Sequence, residues 1–259
     1  MDKNLDSSGS IVDQQNQRAW DAYARKQERF SQPVRDRQFA DLLRQIRADP
    51  WFEGRLAGAR LLCLGSGGGR QSALYAAAGA EVTVVDISSE MLALDREVAR
   101  QRRLALRLVQ ASIDNLSALP PNAFDIVVQP VSTCYVPDVV AVYREVARVV
   151  VGGGLYVSQH KQPASLQCVS DLTGAGYVLS EPYYRSDPLP PVASSPLREE
   201  GTLEFLHRWE QLVGGLCRAG FVVEDFSEPL HATAGAARGT FNHRCQYLPP
   251  YVRIKARRR

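Results

Sequence analysis

One stretch limits what this chain can fold into more than any other. Leu61-Leu62-Cys63-Leu64-Gly65-Ser66-Gly67-Gly68-Gly69 is an apolar strand running straight into a glycine-rich turn, with an alanine-rich helical run to Ala78 behind it. Glycines in such a turn adopt positive φ and let a ligand approach the backbone, and the helix start presents N–H groups without partners. A second apolar strand, Glu81–Asp86, ends in a carboxylate 21 positions on from Gly65, where it can accept hydrogen bonds from both hydroxyls of a ribose. Taken singly, the glycines would serve as a plain turn and Asp86 as a helix cap. The order strand, turn, helix, strand gives them a joint meaning.

From residue 60 onward the chain alternates between periods of two and 3.6, the pattern of β-α-β units and a mainly parallel sheet. Strands are predicted at 60–64, 81–86, 105–109, 124–128 and 155–158. Ser88 or Ser89 caps a helix with Met91, Leu94 and Val98 inward; Val139, Val142, Tyr143, Val146, Val149 and Val150 trace another, and Gly152-Gly153-Gly154 turns the chain into the fifth strand. Ahead of the sheet, Trp20, Tyr23 and Ala24 share one helical face, and Phe39, Leu42, Leu43 and Ile46 share a second that Asp49-Pro50 ends. Residues 1–15 are polar and aperiodic and read as a flexible tail. Residues 161–205 carry prolines at 163, 182, 188, 190, 191 and 196 without a helical period, as a lid over the sheet edge would. A helix then resumes with Leu206, Trp209, Leu212, Val213 and Leu216, followed by strands at 221–226 and 251–256, the last half-buried and antiparallel. The expected fold is α/β: a doubly wound, Rossmann-like, mostly parallel sheet of about seven strands with the last one antiparallel. One domain over 16–259 holds it, with N-terminal helices over 16–50 and the lid inserted at 161–205.

Composition sets the outer bounds. A chain of 259 residues, 45% of them hydrophobic, can bury a real core, and a net charge of +3 names no polyanionic partner, so no nucleic acid is expected. Arg257 to Arg259, and Arg100, Arg102, Arg103 and Arg107, read as solvated charge. Every apolar run is far shorter than the ~20 residues of a membrane span, and the N-terminus lacks the apolar stretch of a signal peptide, which points to the cytoplasm. Five widely spaced cysteines without a C-x-x-C pair read as small core residues, with no metal site expected.

The turn itself has the form G-x-G-x-G, with Arg70 where a dinucleotide fingerprint would continue toward its third glycine. Asp86-Ile87-Ser88-Ser89-Glu90-Met91-Leu92, Phe124-Asp125-Ile126-Val127-Val128, Tyr143 to Val149 with Gly152-Gly153, and Phe205-Leu206-His207-Arg208 with Ala219-Gly220-Phe221 and Glu228-Pro229 complete a set. Over about residues 17–256 the sequence resembles the class I S-adenosylmethionine-dependent methyltransferases, small-molecule branch. The resemblance implies S-adenosyl-L-methionine as cofactor, with S-adenosyl-L-homocysteine as product. It implies that Gly65, Ser66, Gly67 and Gly69 line the methionine portion, that Asp86 binds the ribose, that Ile87 flanks the adenine, that Met91 at the following helix start belongs to the cofactor site, and that Gln129 faces the amino acid end. The third-strand motif of the family ends in an acid for the adenine amine; here Ser112, followed by Ile113, stands in its place. Trp20 and Tyr23 match the aromatic pair that covers the cofactor in relatives, and serve equally as core residues of a helix.

Methyl transfer from a sulfonium needs alignment and exclusion of water, and a base only when the acceptor carries a proton on its nucleophile. His160, at the carboxyl end of the fifth strand, is the first candidate for an acceptor contact or base, with a loop hydrogen bond as its other reading. His207 sits in the His-Arg pair, and Tyr135 follows the fourth strand where the acceptor is expected, or packs under the lid. His243 reads as structural. Tyr177, Tyr183, Tyr184 and Arg185 are expected in the acceptor wall. A methyltransferase for a small organic acceptor is the leading reading, and a non-catalytic S-adenosylmethionine-binding or scaffolding protein stays open. An RNA methyltransferase is disfavoured, because Gln129-Pro130-Val131-Ser132 stands where an Asn-Pro-Pro-Tyr type tetrad would, and an NAD-linked reductase is disfavoured by the G-x-G-x-G form. The acceptor, the atom methylated and the oligomeric state are left open.

Overall fold

The computed structural model describes residues 10–26, 31, 32, 34, 36–65, 68–168, 172–174, 176–193 and 195–259. Two helices come first, α1 (Ile11–Lys26) and α2 (Asp36–Ala48), then a 3-10 turn at Pro50–Phe52. The alternating part follows: β1 (Arg60–Leu64), α3 (Ser72–Ala77), β2 (Glu81–Asp86), α4 (Ser89–Arg102), β3 (Leu106–Gln110), β4 (Phe124–Gln129), a 3-10 turn at Thr133–Tyr135, α5 (Val139–Val149) and β5 (Val150–Lys161). After it come α6 (Pro163–Gln167), a π-helical segment at Glu210–Gly214 leading into α7 (Gly215–Arg218), β6 (Phe221–Ser227), α8 (Phe241–Arg244) and β7 (Tyr251–Arg258).

The seven strands form one sheet in the order β3-β2-β1-β4-β5-β7-β6. The first five pair in parallel, and β7 inserts antiparallel between β5 and β6. Side chains alternate across the sheet as the period of two demands. Leu62, Leu64, Val127 and Tyr156 pack with Val139, Val142, Tyr143 and Val146 of α5 and Leu212 and Leu216, whereas Leu61, Cys63, Ile126 and Leu155 pack with Trp51, Phe52, Tyr75 and Leu92 on the other face. Both faces are covered, so the central strands read as continuous apolar runs.

Three elements depart from the sequence expectation. Helix α1 starts at Ile11, inside the stretch read as a flexible tail. Ser10 and Asp13 form a reciprocal capping pair there, the Asp13 N–H donating to Ser10 Oγ and the Ser10 N–H to Asp13 Oδ2, each at 3.1 Å. The Gly152 to Gly154 run does not separate α5 from the fifth strand; it forms an irregularity inside β5, between the pairs Phe124 with Val150 and Ile126 with Leu155. Leu206 is not helical: residues 202–208 run without regular structure, tied by the Phe205 N–H to the Cys134 carbonyl and the Leu189 N–H to the Glu204 carbonyl. Leu206 packs instead with Leu166 and Leu189 in a small satellite core under the 161–205 segment. Of the five cysteines, all reduced, Cys217 is exposed and the other four are buried. No helix among the described residues is long and apolar enough to cross a membrane.

Candidate active site

The strands' carboxyl ends open onto one cavity of about 440 Å³, within the usual range for a small-molecule site. Gly65 follows β1, Asp86 ends β2, Ser112 and Ile113 follow β3, Pro130 and Ser132 follow β4, and Gln159 and Lys161 close β5; all line it. Because β7 is antiparallel and pairs Tyr251 with Lys161, its first residue reaches the same edge. His231, from the loop after β6, lines it too. Open α/β sheets bind ligands at this edge, where several βα connections diverge.

At the turn after β1 the backbone is pulled close to its neighbours. Gly65 has φ +60°, and a Cβ there would stand 2.8 Å from the Cβ of Ser132. Gly69 has φ +79°, and its Cβ would stand 2.7 Å from Val98 Cγ2. Its N–H donates to Asp95 Oδ1 at 2.8 Å, and the Ser72 hydroxyl donates to the same oxygen. Gly69 thus packs the turn onto α4 and does not line the cavity; Ser66 and Gly67 lie outside the described residues. Asp95 is fully buried and escaped the sequence reading, although its spacing from Met91 and Val98 puts an acid on the inward stripe of α4.

Asp86 is buried, lines the cavity, and accepts the Ser88 N–H at Oδ1 (2.9 Å). Ile87 and Met91 line the cavity beside it. Ser88 caps α4 by accepting the Met91 N–H and donates its hydroxyl to Asp21 of α1 at 2.6 Å. Asn16, one turn earlier on α1, donates to the carbonyls of Tyr135 and Leu203 and accepts the Leu203 N–H. These bonds seat α1 over the cavity, which Asp13, Asn16 and Trp20 line. Trp20 meets Tyr135 edge-on at 5.3 Å. Tyr23 does not line the cavity; its hydroxyl accepts the Glu200 N–H.

Ser112 lines the cavity, but its hydroxyl is engaged by Asp114 Oδ1 at 2.6 Å, with Asp13 Oδ1 at 3.3 Å. A carboxylate thus stands on the cavity wall beside the end of β3, that of Asp13 from α1. Gln129 sits behind the wall: it donates to Ser132 Oγ at 3.0 Å and accepts the Tyr156 hydroxyl.

Neither His160 nor His207 reaches the cavity. The His160 ring is 1% exposed, with Thr133 Oγ1 and Ser158 Oγ each 2.8 Å from its two nitrogens, and His207 Nε2 donates to the Thr133 carbonyl at 2.9 Å. Burial, with a small contribution from His207, holds the His160 ring neutral, its pKa down to about 3; burial also lowers that of His207. Both are core residues pinning the turn after β4. Tyr135 does line the cavity, but burial and then the Glu199 carboxylate push its phenol well up, and the phenol donates to Glu199 Oε2 at 2.6 Å.

Lys161 and Glu199 were not singled out in the sequence. The Lys161 ammonium donates to Glu199 Oε2 and Glu204 Oε2, each at 2.8 Å, with all three side chains almost completely buried. Burial alone would lower the lysine's pKa; the carboxylates of Glu204 and Glu199 outweigh it and hold it above the ordinary value. Beyond Lys161 itself, Glu199 is what the described residues of the 161–205 segment contribute to the cavity. Tyr177, Tyr183, Tyr184 and Arg185 lie elsewhere: Tyr177 bonds His243 Nδ1, Tyr183 accepts the Trp209 N–H, Tyr184 is exposed, and Arg185 pairs with Glu181.

A family model described as "Methyltransferase domain" matches residues 62–158. An uncharacterized methyltransferase, YbaJ, of Bacillus subtilis (strain 168) is 36% identical over 182 residues, 69% of this chain and 71% of that one. A ubiquinone biosynthesis O-methyltransferase of Xanthomonas euvesicatoria is 33% identical over 125 residues, 48% of this chain and 52% of that one. Among solved structures, an S-adenosylmethionine-dependent methyltransferase from Mesorhizobium loti superposes with a TM-score of 0.64 at 22% identity, covering 84% of this chain and 96% of that one. The glycine at 65, where no Cβ fits, and the buried carboxylate of Asp86 on the same cavity suit the cofactor of these enzymes, S-adenosylmethionine. With fold, site and a relative matched over more than two thirds of its length in agreement, this chain belongs to the class I S-adenosylmethionine-dependent methyltransferases.

Proposed function

We propose that the enzyme methylates a small organic acceptor held in the half of the cavity beyond Gly65 and Trp20, between Tyr135, Glu199, His231 and Tyr251. The observation that carries this reading is the cover that α1 lays over the cavity. Helix α1 lies across it, clamped by Asn16 and Asp21, so the space left beside the cofactor suits a small molecule and not a folded macromolecule. In this reading Asp86 takes the ribose hydroxyls, Ile87 and Met91 flank the adenine, and Asp13 accepts from its amine in place of the acid missing after β3. The bound cofactor supplies an electrophilic methyl carbon on a sulfonium.

The protein's part is then alignment and drying. Gly65 lets the backbone approach the ligand, Gln129 fixes Ser132 on the facing wall, and Trp20 and Tyr135 exclude water from the line of transfer. Lys161 holds Glu199 rigid at the floor. Calorimetry tests the cofactor half: S-adenosylmethionine and S-adenosylhomocysteine bind, and NAD and NADP do not. Asp86→Ala should weaken binding by about 1.5–3 kcal/mol, the cost of losing hydrogen bonds to a charged group. Unchanged affinity in that variant would move the ribose site elsewhere. Methyl incorporation from labelled cofactor into small-molecule metabolite fractions, with none into RNA or protein, is the expected outcome for the acceptor half.

A further inference from the structure

We infer that the acceptor is a hydroxyl on a neutral aromatic ring and that His231 is the base that takes its proton. This deepens the reading of the cavity given above and rests on it. His231 is the one histidine lining the cavity among the described residues; the sequence reading passed over it, and it lies in the loop after β6, at the same carboxyl edge as the other lining residues.

The ring belongs to an aromatic wall. It meets Tyr251 at 5.3 Å and 70° and Phe241 of α8 at 6.1 Å and 65°, so its plane is set by two neighbours. Trp20 and Tyr135 add a second edge-on pair lining the cavity. Flat faces of this kind favour a planar guest. The floor decides the guest's charge. Of the two cations lining the cavity among the described residues, Arg70 follows the turn after β1, on the cofactor side, and Lys161 on the floor is already neutralised by Glu199 and Glu204, so the floor offers nothing to a carboxylate or phosphate. Glu199 has Oε2 occupied by Tyr135 and Lys161, while Oε1 takes no hydrogen bond among the described residues; an acceptor that donates a hydrogen bond fits it.

The other candidates for a base are engaged. His160 and His207 are buried behind Thr133, Tyr135 is held as a phenol, Glu199 is ion-paired with Lys161 at 2.8 Å and acts as the hydrogen-bond acceptor, and Asp13 and Asp86 lie at the cofactor end. Tyr251 from β7 faces His231 directly, and the other charged and titratable groups lining the cavity are Lys161 from β5, Tyr135 after β4, Glu199 from the 161–205 segment, Arg70 after β1, Asp86 at the end of β2 and Asp13 from α1. On α8, His243 is bonded to Tyr177 and Arg244 to Ser165. In the step, the acceptor O–H bond breaks and its proton moves to an imidazole nitrogen of His231. The oxygen's electron pair forms the new bond to the methyl carbon as the carbon–sulfur bond breaks, its pair staying on sulfur.

4-Nitrophenol tests this without knowledge of the natural acceptor, because its ionised form has its own absorption band. Added to protein saturated with S-adenosylhomocysteine, at a pH below the phenol's ionisation midpoint in solution, it should bind and develop the ionised band. His231→Phe keeps the ring contacts but has no nitrogen. That variant should retain S-adenosylhomocysteine affinity within about twofold and lose the ionised fraction of bound probe ~10-fold; His231→Gln should behave alike. An equal band in parent and variants, binding as the neutral phenol in the parent, or preference for 4-nitrobenzoate over 4-nitrophenol each overturns the inference. Failure of the parent to bind S-adenosylhomocysteine would instead overturn the cofactor reading beneath it.

Discussion

Asp13 has two tasks at one position. It closes the capping pair with Ser10 at the start of α1, and it stands on the cavity beside Ser112. Asp13→Ala should therefore weaken S-adenosylhomocysteine binding by about 1 kcal/mol, the size of one net hydrogen bond, while Asp13→Asn, which still caps, separates the two tasks. Calorimetry on both variants checks it; full affinity in Asp13→Ala would take the adenine amine away from α1. The role was out of reach of sequence because residues 10–16 carry no apolar period. What fixes them is a polar set, the local pair of Ser10 with Asp13 and the bonds of Asn16 to Tyr135 and Leu203, which lie more than a hundred positions away. Asp86 was legible because its meaning is local: a strand, its last residue, and a glycine turn at a fixed spacing. His160 misled for a related reason. The position at a strand's carboxyl end was read correctly, but which side its ring faces depends on Thr133 and Ser158 packing around it.

At the scale of elements, the turn after β1 and helix α4 behave as one unit joined by Asp95. The buried carboxylate satisfies the Gly69 N–H and the Ser72 hydroxyl together. Asp95→Ala leaves both donors buried without that acceptor, so urea unfolding should report a loss of about 1–3 kcal/mol, accompanied by weaker cofactor binding because the turn itself is loosened. A loss of stability at unchanged affinity would mean that the turn holds its shape without α4. The β5 floor makes a second unit. Lys161→Met removes the ammonium between Glu199 and Glu204, leaving Glu204 facing Arg198 at 3.4 Å and Glu199 without a cation, and should cost about 3–5 kcal/mol, most of it recovered when Glu199 is also changed to Gln. The sheet strands were legible from their apolar runs, since both faces are covered. The π-helical segment and the extended run at 202–208 were not. There the periodic spacing of Leu206, Trp209 and Leu212 comes from contacts with two different cores and not from one helical face.

For the whole molecule, the buried histidines predict how stability responds to acid. His160 falls from an ordinary 6.5 to about 3 on folding, because burial, and to a lesser degree His207, disfavours the charged ring. Between those values the unfolded chain binds a proton that the folded chain refuses, so stability is lost as pH falls below about 6.5 and is unaffected by this group above it. The slope is about 1.4 kcal/mol per pH unit for one full proton, and His207, lowered by burial as well, adds to it. The carboxylates whose pKa values folding lowers, such as Asp125 beside Arg60 and Glu145 beside Arg148, start from 3.8 and 4.5, so they enter only at lower pH. A window from about pH 7.5 to pH 5 therefore isolates the two histidines. Urea unfolding across it should show a clear decline in the parent. His160→Gln should be less stable throughout, since Thr133 and Ser158 lose their partner, yet decline less steeply by up to one proton. An identical slope in parent and variant would mean that the His160 ring takes up its proton in the folded state. The same neutrality removes His160 and His207 from the pH profile of turnover.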